Sequence, residues 1–222
     1  MEQKVIDALT LCPLFAGMSP MEIELSLSGA DYRLVEYVDH DIFALAGMPC
    51  KYADIVVSGE LICRMSAMSG KQVEMSRLRK GNLVAPAFLF GKDRNMPVGV
   101  ETGSKVTVLR MRREVFAQLL HNNWQLAENF IRVLSNINVF LTNRMRVVSL
   151  FTVREKVAWL LMERAGEQGS DTIRLYRSRQ EIADSFGIQK FSLLRVLSDF
   201  QKEGAINING REITILDRSK MR

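Results

Sequence analysis

Ser178-Arg179-Gln180-Glu181 opens the stretch of this 222-residue chain that decides its fold. Ser followed three residues later by Glu fits a capping box, in which each side chain closes a free backbone amide at a helix start. Ile182, Ala183 and Phe186 give that helix an apolar face, and Gly187 breaks it where two helices would need a sharp bend. A second helix is expected over Gln189-Lys190-Phe191-Ser192-Leu193-Leu194-Arg195-Val196-Leu197-Ser198-Asp199-Phe200. Its Leu193, Leu194, Val196, Leu197 and Phe200 can face a core, with Gln189, Lys190, Ser192 and Arg195 outward. Gly204 stops the helix. Ala205-Ile206-Asn207-Ile208, then Asn209-Gly210, then Arg211-Glu212-Ile213-Thr214-Ile215 read as strand, tight turn and strand, Asn-Gly being a strong hairpin signal. Helix, turn, helix and hairpin in this order spell a winged helix-turn-helix, whose second helix is shaped for a DNA major groove.

Upstream, Thr152-Val153-Arg154-Glu155 repeats the capping-box pattern and predicts a helix through Val157, Leu160 and Leu161, ending near Gly166-Glu167-Gln168-Gly169-Ser170. From residue 113 to 165 the chain reads as helical, and its apolar residues form two interleaved stripes. One is a strict 4-3-4-3 heptad seam of Leu120, Trp124, Ala127, Ile131, Leu134, Asn138, Leu141, Met145 and Val148. The other is Leu126, Phe130, Val133, Ile137, Phe140, Arg144, Val147 and Phe151. A helix with two apolar stripes needs two apolar neighbours. A twin helix in a parallel coiled-coil homodimer would supply one of them, with Asn138 fixing the register; a monomer that buries the helix among its own elements is the alternative.

Residues 30–110 read as short strands with glycine turns. Asp54-Ile55-Val56-Val57 leads through Ser58-Gly59 to Leu61-Ile62-Cys63; Ser69-Gly70-Lys71 precedes Val73-Glu74-Met75; Lys80-Gly81-Asn82 precedes Leu83-Val84; and Lys105 to Met111 alternates in the strand period. Such spacing predicts an antiparallel sandwich or barrel.

Composition bounds the rest. No stretch reaches the ~18 apolar residues of a membrane span, and Met1-Glu2-Gln3-Lys4-Val5-Ile6-Asp7 lacks a signal-peptide layout, so a cytoplasmic protein without membrane contact is expected. Cys12, Cys50 and Cys63 are odd in number and widely spaced, which argues against a disulfide framework or a zinc site. Small buried thiols are the expectation for Cys50 and Cys63. The net charge of +5 concentrates towards the C-terminus, where residues 151–222 carry 13 basic against 10 acidic side chains. This fits an anionic partner there, and equally a solvated basic surface. No phosphate loop, nucleophile elbow or histidine metal cluster appears, so an enzyme is not expected.

Taken together, Arg179-Gln180-Glu181-Ile182-Ala183, Phe186-Gly187-Ile188, Arg195-Val196-Leu197 and Gly204-Ala205-Ile206 resemble the Crp-Fnr family, relatives of the cyclic-AMP receptor protein, itself one of the standard examples of helix-turn-helix docking. Leu14-Phe15-Ala16-Gly17-Met18-Ser19, Ile55-Val56-Val57-Ser58-Gly59-Glu60-Leu61 and Arg79-Lys80-Gly81-Asn82 continue the resemblance in order through the N-terminal half. It implies an α+β chain: an antiparallel β-roll sensory domain (1–119) of the cyclic-nucleotide-binding type, a dimerisation helix (120–150) and a winged helix-turn-helix (151–222). The implied partners are a palindromic double-stranded operator, a second copy of the chain, and RNA polymerase. By this resemblance Ser178, Arg179 and Gln180 match backbone-holding positions, and Gln189, Lys190, Ser192 and Arg195 match the exposed recognition positions. Phe191 stands where the family often has an acid that accepts from a cytosine amine; Phe can pack on a thymine methyl instead, or simply pack in the protein.

The cyclic-nucleotide members hold ribose with the Glu of a Phe-Gly-Glu motif and phosphate with an Arg about ten residues later. Here Val84-Ala85-Pro86 and Met96-Pro97 occupy those places, and Phe140-Leu141 replaces the polar pair that faces the base. Pro86 brings neither carboxylate nor amide proton, and Met96 brings no charge, so cyclic AMP is not the expected effector. Pro86, Phe88, Leu89, Met96, Phe140 and Leu141 are the expected effector-pocket residues, suited to haem or another apolar ligand and equally to a packed core. An iron–sulfur cluster lacks its cysteines. His40 reads as an exposed turn residue and His121 as a helix-start residue, neither a strong haem ligand. The rival reading is a regulatory module of the same kind acting through protein contacts alone.

Overall fold

The computed structural model describes residues 1–66 and 72–221; the turn expected at Ser69-Gly70-Lys71 lies outside the described residues. The chain divides into two compact units, Met1–Asn138 and Val139–Arg222. The first begins with helices α1 (Gln3–Leu11) and α2 (Pro20–Leu27), which the sequence reading did not anticipate. Ser19 and Glu22 close a reciprocal capping box on α2, with Pro20 in its first turn.

Among the described residues seven antiparallel strands follow: β1 (Tyr32–Tyr37), β2 (Ile42–Ala44), β3 (Tyr52–Ser58), β4 (Leu61–Ser66), β5 (Gln72–Leu78), β6 (Gly99–Thr102) and β7 (Val106–Arg112). They form two sheets, ordered β1-β7-β3 and β2-β6-β4-β5. Because side chains alternate along a strand, β3 and β7 serve two cores at once. Ile55, Val57, Leu109 and Met111 join Leu9, Phe15 and Phe116 in one cluster. Val56, Val106 and Val108 join Leu61, Cys63 and Val100 of the second sheet in another. Burial on both faces explains why Ile55-Val56-Val57 is uninterruptedly apolar. The β3–β4 turn requires glycine: Gly59 has φ +83°, and a Cβ there would lie 2.2 Å from the Lys105 carbonyl oxygen. Leu83-Val84, expected as a strand, makes only an isolated bridge from Leu83 to Ile55, bounded by Val84 N–H donating to the Asp54 carbonyl at 2.9 Å.

The helical run over 113–165 is broken at Asn123 and again at Phe151-Thr152. Helix α3 (Arg113–Asn122) ends before α4 (Trp124–Leu150), because Asn123 accepts from the Leu126 amide at 3.3 Å through its side chain and from Ala127 N–H at 3.1 Å through its carbonyl. Leu120 therefore lies on α3, partly buried against the first core, and not on the seam helix; His121 sits in the last turn of α3 rather than at a helix start. The N-terminal half of α4 is fastened to its own unit by buried Leu126 and Phe130. Asn129 adds two hydrogen bonds, its Nδ2 donating to the carbonyls of Leu14 (3.0 Å) and Ala16 (2.9 Å). Phe116 meets Phe130 edge-on, with 5.3 Å between ring centroids.

The second unit holds the end of α4, α5 (Val153–Gln168), β8 (Thr172–Arg174), α6 (Arg179–Ser185), α7 (Lys190–Lys202), β9 (Ile206–Asn209) and β10 (Glu212–Ile215). The Thr152–Glu155 capping box is formed, and α5 ends at left-handed Gly169. Strands order β8-β10-β9, so β8 adds a third strand to the expected hairpin. Arg144, a cation in an apolar stripe, lies 4.2 Å from the Phe186 ring centroid and 5.5 Å from that of Trp159, and donates to the Ser185 carbonyl at 2.8 Å. The aromatic faces and the end of α6 thus receive its charge. Among the described residues no helix is long and apolar enough to cross a membrane.

Candidate functional site

The Ser178 hydroxyl accepts from Glu181 N–H at 3.2 Å while a Glu181 carboxylate oxygen accepts from Ser178 N–H at 2.7 Å, which fixes the start of α6. Gly187, at φ +63°, supplies the bend into α7, for which Gln189 is the cap residue. Leu193, Leu197 and Phe200, spaced i, i+4, i+7, bury one side of α7 against α5, α6 and the hairpin. Gln189, Lys190 and Arg195 are exposed and Ser192 is half-buried, so these polar side chains are open to solvent at the start and outer side of α7. Leu194 corrects the sequence reading. Expected in the core, it is 42% exposed, because it lies about 100° around the helix from Leu193 and off the buried row. Phe191 is 73% exposed on the side opposite that row, which rules out simple packing within the unit.

Ser178 and Gln180 are exposed at the start of α6, and Gln180 donates to Asp184 Oδ1 at 3.0 Å. Arg179 is half-buried. Its Nη2 donates to the Gly210 carbonyl at 3.3 Å, which ties the start of α6 to the tip of the wing, and burial pushes its guanidinium pKa down. α6, α7 and the wing therefore present one surface, with two basic side chains on α7 and a third at its edge.

In the first unit, Ala85 takes a left-handed conformation (φ +45°) and Pro86–Phe88 form a single 3-10 turn. The expected effector residues are divided by it. Phe88 and Met96 pack into the core between the sheets, with Met96 Sδ 3.1 Å from Cys50 Sγ, whereas Leu89 packs into the helical core. Phe140 and Leu141 are exposed and belong to the second unit. An open cavity of about 600 Å³ lies elsewhere, lined by Tyr52, Lys92, Arg94 and Arg112 among others and by none of the expected effector residues. His40 and His121 are both exposed, so among the described residues the interior offers no imidazole to a haem iron. The three thiols are buried, and burial pushes Cys12 up to about 11, which leaves it protonated and a poor metal ligand. Sequence reasoning missed a buried Asp54–Arg110 pair in this unit, joined by bonds of 2.7 and 2.9 Å. Its one signal was two opposite charges at inward positions of otherwise apolar strands.

On α4, Trp124 (74% exposed), Ile131, Leu141 (56%), Met145 (66%) and Val148 stand in solvent with Asn138, while Ala127 and Leu134 are half-buried.

Residues 155–222 match the sequence profile of a Crp-like helix-turn-helix domain, and residues 34–123 that of a cyclic nucleotide-binding domain. A CRP-like cAMP-activated global transcriptional regulator of Mycobacterium tuberculosis is 24% identical, over 97% of either chain. Among solved structures, a double mutant of CooA from Carboxydothermus hydrogenoformans superposes with a TM-score of 0.65 at 19% identity, covering 86% of each chain. The Catabolite Activator Protein of Thermus thermophilus does so with a TM-score of 0.58 at 20% identity, covering 94% of this chain and 96% of its own.

Proposed function

We propose that the chain, which matches a Crp-like helix-turn-helix and a cyclic nucleotide-binding domain, is a DNA-binding transcription regulator of the Crp-Fnr family that works as a homodimer on a palindromic operator under an effector other than cyclic AMP. The observation that carries this is the outward face of α7, polar and basic at Gln189, Lys190 and Arg195 on a helix whose other side is buried. In this reading residues 1–119 sense, 120–150 pair the protomers and 151–222 hold DNA. RNA polymerase is then the partner addressed from the operator.

Phosphate contacts position a protein on any duplex, while bidentate base contacts select a sequence. Arg179, at the edge of the surface, is assigned to phosphate and Arg195 to a base edge. Arg179→Ala should weaken binding to specific and random duplexes alike and make the salt slope shallower by about one unit per half-site. Arg195→Ala should cost about 1–3 kcal/mol per half-site on the selected sequence and relax preference at one base pair. Anisotropy titrations at several salt concentrations separate the two. Equal weakening of both duplexes by Arg195→Ala would move that residue to the phosphate class. Intact binding in both variants would remove the winged helix from DNA recognition.

For the effector, a cyclic phosphate beside Pro86 and Met96 would meet neither a carboxylate–ribose partner nor a cation. Met96 is moreover 8% exposed and occupied by Cys50. Calorimetric titration with cyclic AMP should give no heat of binding in the micromolar range; a micromolar dissociation constant would overturn this part of the proposal.

A further inference from the structure

Phe191 is the least expected side chain on the recognition surface. It occupies the second position of α7, between Lys190 and Ser192 and one turn before Arg195. Single apolar residues on a protein surface are common. This one, however, is a large aromatic ring, 73% exposed, opposite the buried row of Leu193, Leu197 and Phe200 and beside the basic side chains assigned to DNA. Its ring makes no aromatic contact within the unit among the described residues, so the fold does not explain it.

A ring at that place has no hydrogen-bonding group to offer a base edge. In the major groove the one apolar feature a base pair presents is the methyl group at C5 of the pyrimidine. Thymine carries it, 5-methylcytosine carries it too, and cytosine and uracil lack it. Resting on the DNA-binding reading above, we propose that Phe191 is a specificity-determining residue that reads a C5-methyl group, so that the protein selects thymine over cytosine at one position of each half-site and binds there when cytosine is methylated. Lys190 and Arg195, on either side, hold the helix close enough for the contact by their charge. Leu194, 42% exposed one turn further on, extends the apolar strip along the same helix.

The test starts from duplexes selected by the full-length protein from a random palindromic library. Each thymine of the selected half-site is then replaced by deoxyuridine, one position at a time and in both half-sites. At one position the replacement should weaken binding about fourfold per half-site, the factor a single buried methyl is worth, and about fifteenfold for the palindrome. A C·G pair at that position should bind weakly, and 5-methylation of its cytosine should restore the same factor. In Phe191→Ala, whose melting curve should match the parent because the ring is exposed, thymine and deoxyuridine should bind equally. If both proteins respond identically to deoxyuridine at every position, Phe191 does not read a methyl and the proposal fails while DNA binding stands. If the library yields no enriched sequence, the DNA-binding reading fails and takes this proposal with it.

Discussion

Replacing Ile131 and Leu141 together by Glu is expected to turn the proposed homodimer into monomers in sedimentation equilibrium and to weaken binding to a palindromic duplex roughly 10²–10⁴-fold. The size follows from linkage: when two recognition helices are joined, the second half-site is bound intramolecularly, and that advantage is lost when the protomers separate. The positions follow from how α4 divides its two stripes. Leu126, Phe130 and Val147 are spent within the units they belong to, whereas Ile131 (55% exposed), Leu141 and Met145 fall at heptad positions with nothing among the described residues covering them. A second copy of the same helix offers the same stripe, which a symmetric parallel pairing buries. Leu134 is a poorer choice for the charge. It packs partly against the first core, so a carboxylate there would damage the protomer as well as the interface. With Ile131 and Leu141 the far-ultraviolet dichroism should stay close to the parent, and residual binding to an isolated half-site should survive. Dimers that persist would remove the seam as the interface.

Much of this architecture is legible in the sequence because local rules and global packing agree. The capping boxes at Ser178 and Thr152 are written in four residues each and are formed. The Asn209-Gly210 turn closes the β9–β10 hairpin, with Gly210 at φ +59°. The two stripes of α4 fall out of periodicity alone. What was misread depends on competition that a pattern does not display. Asn123 sits inside a continuous helical run, yet its side chain competes for the Leu126 amide and starts a new helix. Leu194 is as apolar as its neighbours, and only the angle set by Leu193, Leu197 and Phe200 puts it outside. Pro86, Leu89 and Met96 lie close in sequence, but a 3-10 turn sends Leu89 to one core and Met96 to the other. Contiguity in sequence suggested one pocket where the two faces of a sheet make two clusters.

The Asp54–Arg110 pair lay wholly outside that reading, and it leads to the largest stability effect expected in this molecule. Asp54 on β3 and Arg110 on β7 are direct cross-strand partners, and both side chains are almost fully enclosed, 7% and 13% exposed. Arg110 lies 5.0 Å from the Tyr52 ring centroid, 5.4 Å from that of Phe43 and 5.8 Å from that of Tyr37. Burial pushes the Asp54 carboxyl up from its ordinary value, and the two Arg110 bonds oppose that shift. Removing Asp54 leaves the Arg110 charge buried without its carboxylate partner. Asp54→Leu should therefore cost about 3–5 kcal/mol in urea denaturation of the first unit, far more than the leucine's own apolar surface returns. The aromatic rings would recover only part of the loss, a desolvated cation–π contact being worth about 2 kcal/mol or somewhat more. Replacing both residues, Asp54→Leu with Arg110→Leu, should recover most of the loss, because removing the pair also removes the cost of desolvating it. A double variant no more stable than the single one would mean that the charges hold the sheet in register rather than merely neutralising each other. A single variant within about 1 kcal/mol of the parent would mean that Arg110 finds solvent when Asp54 is gone, and that the β-roll interior opens at that end.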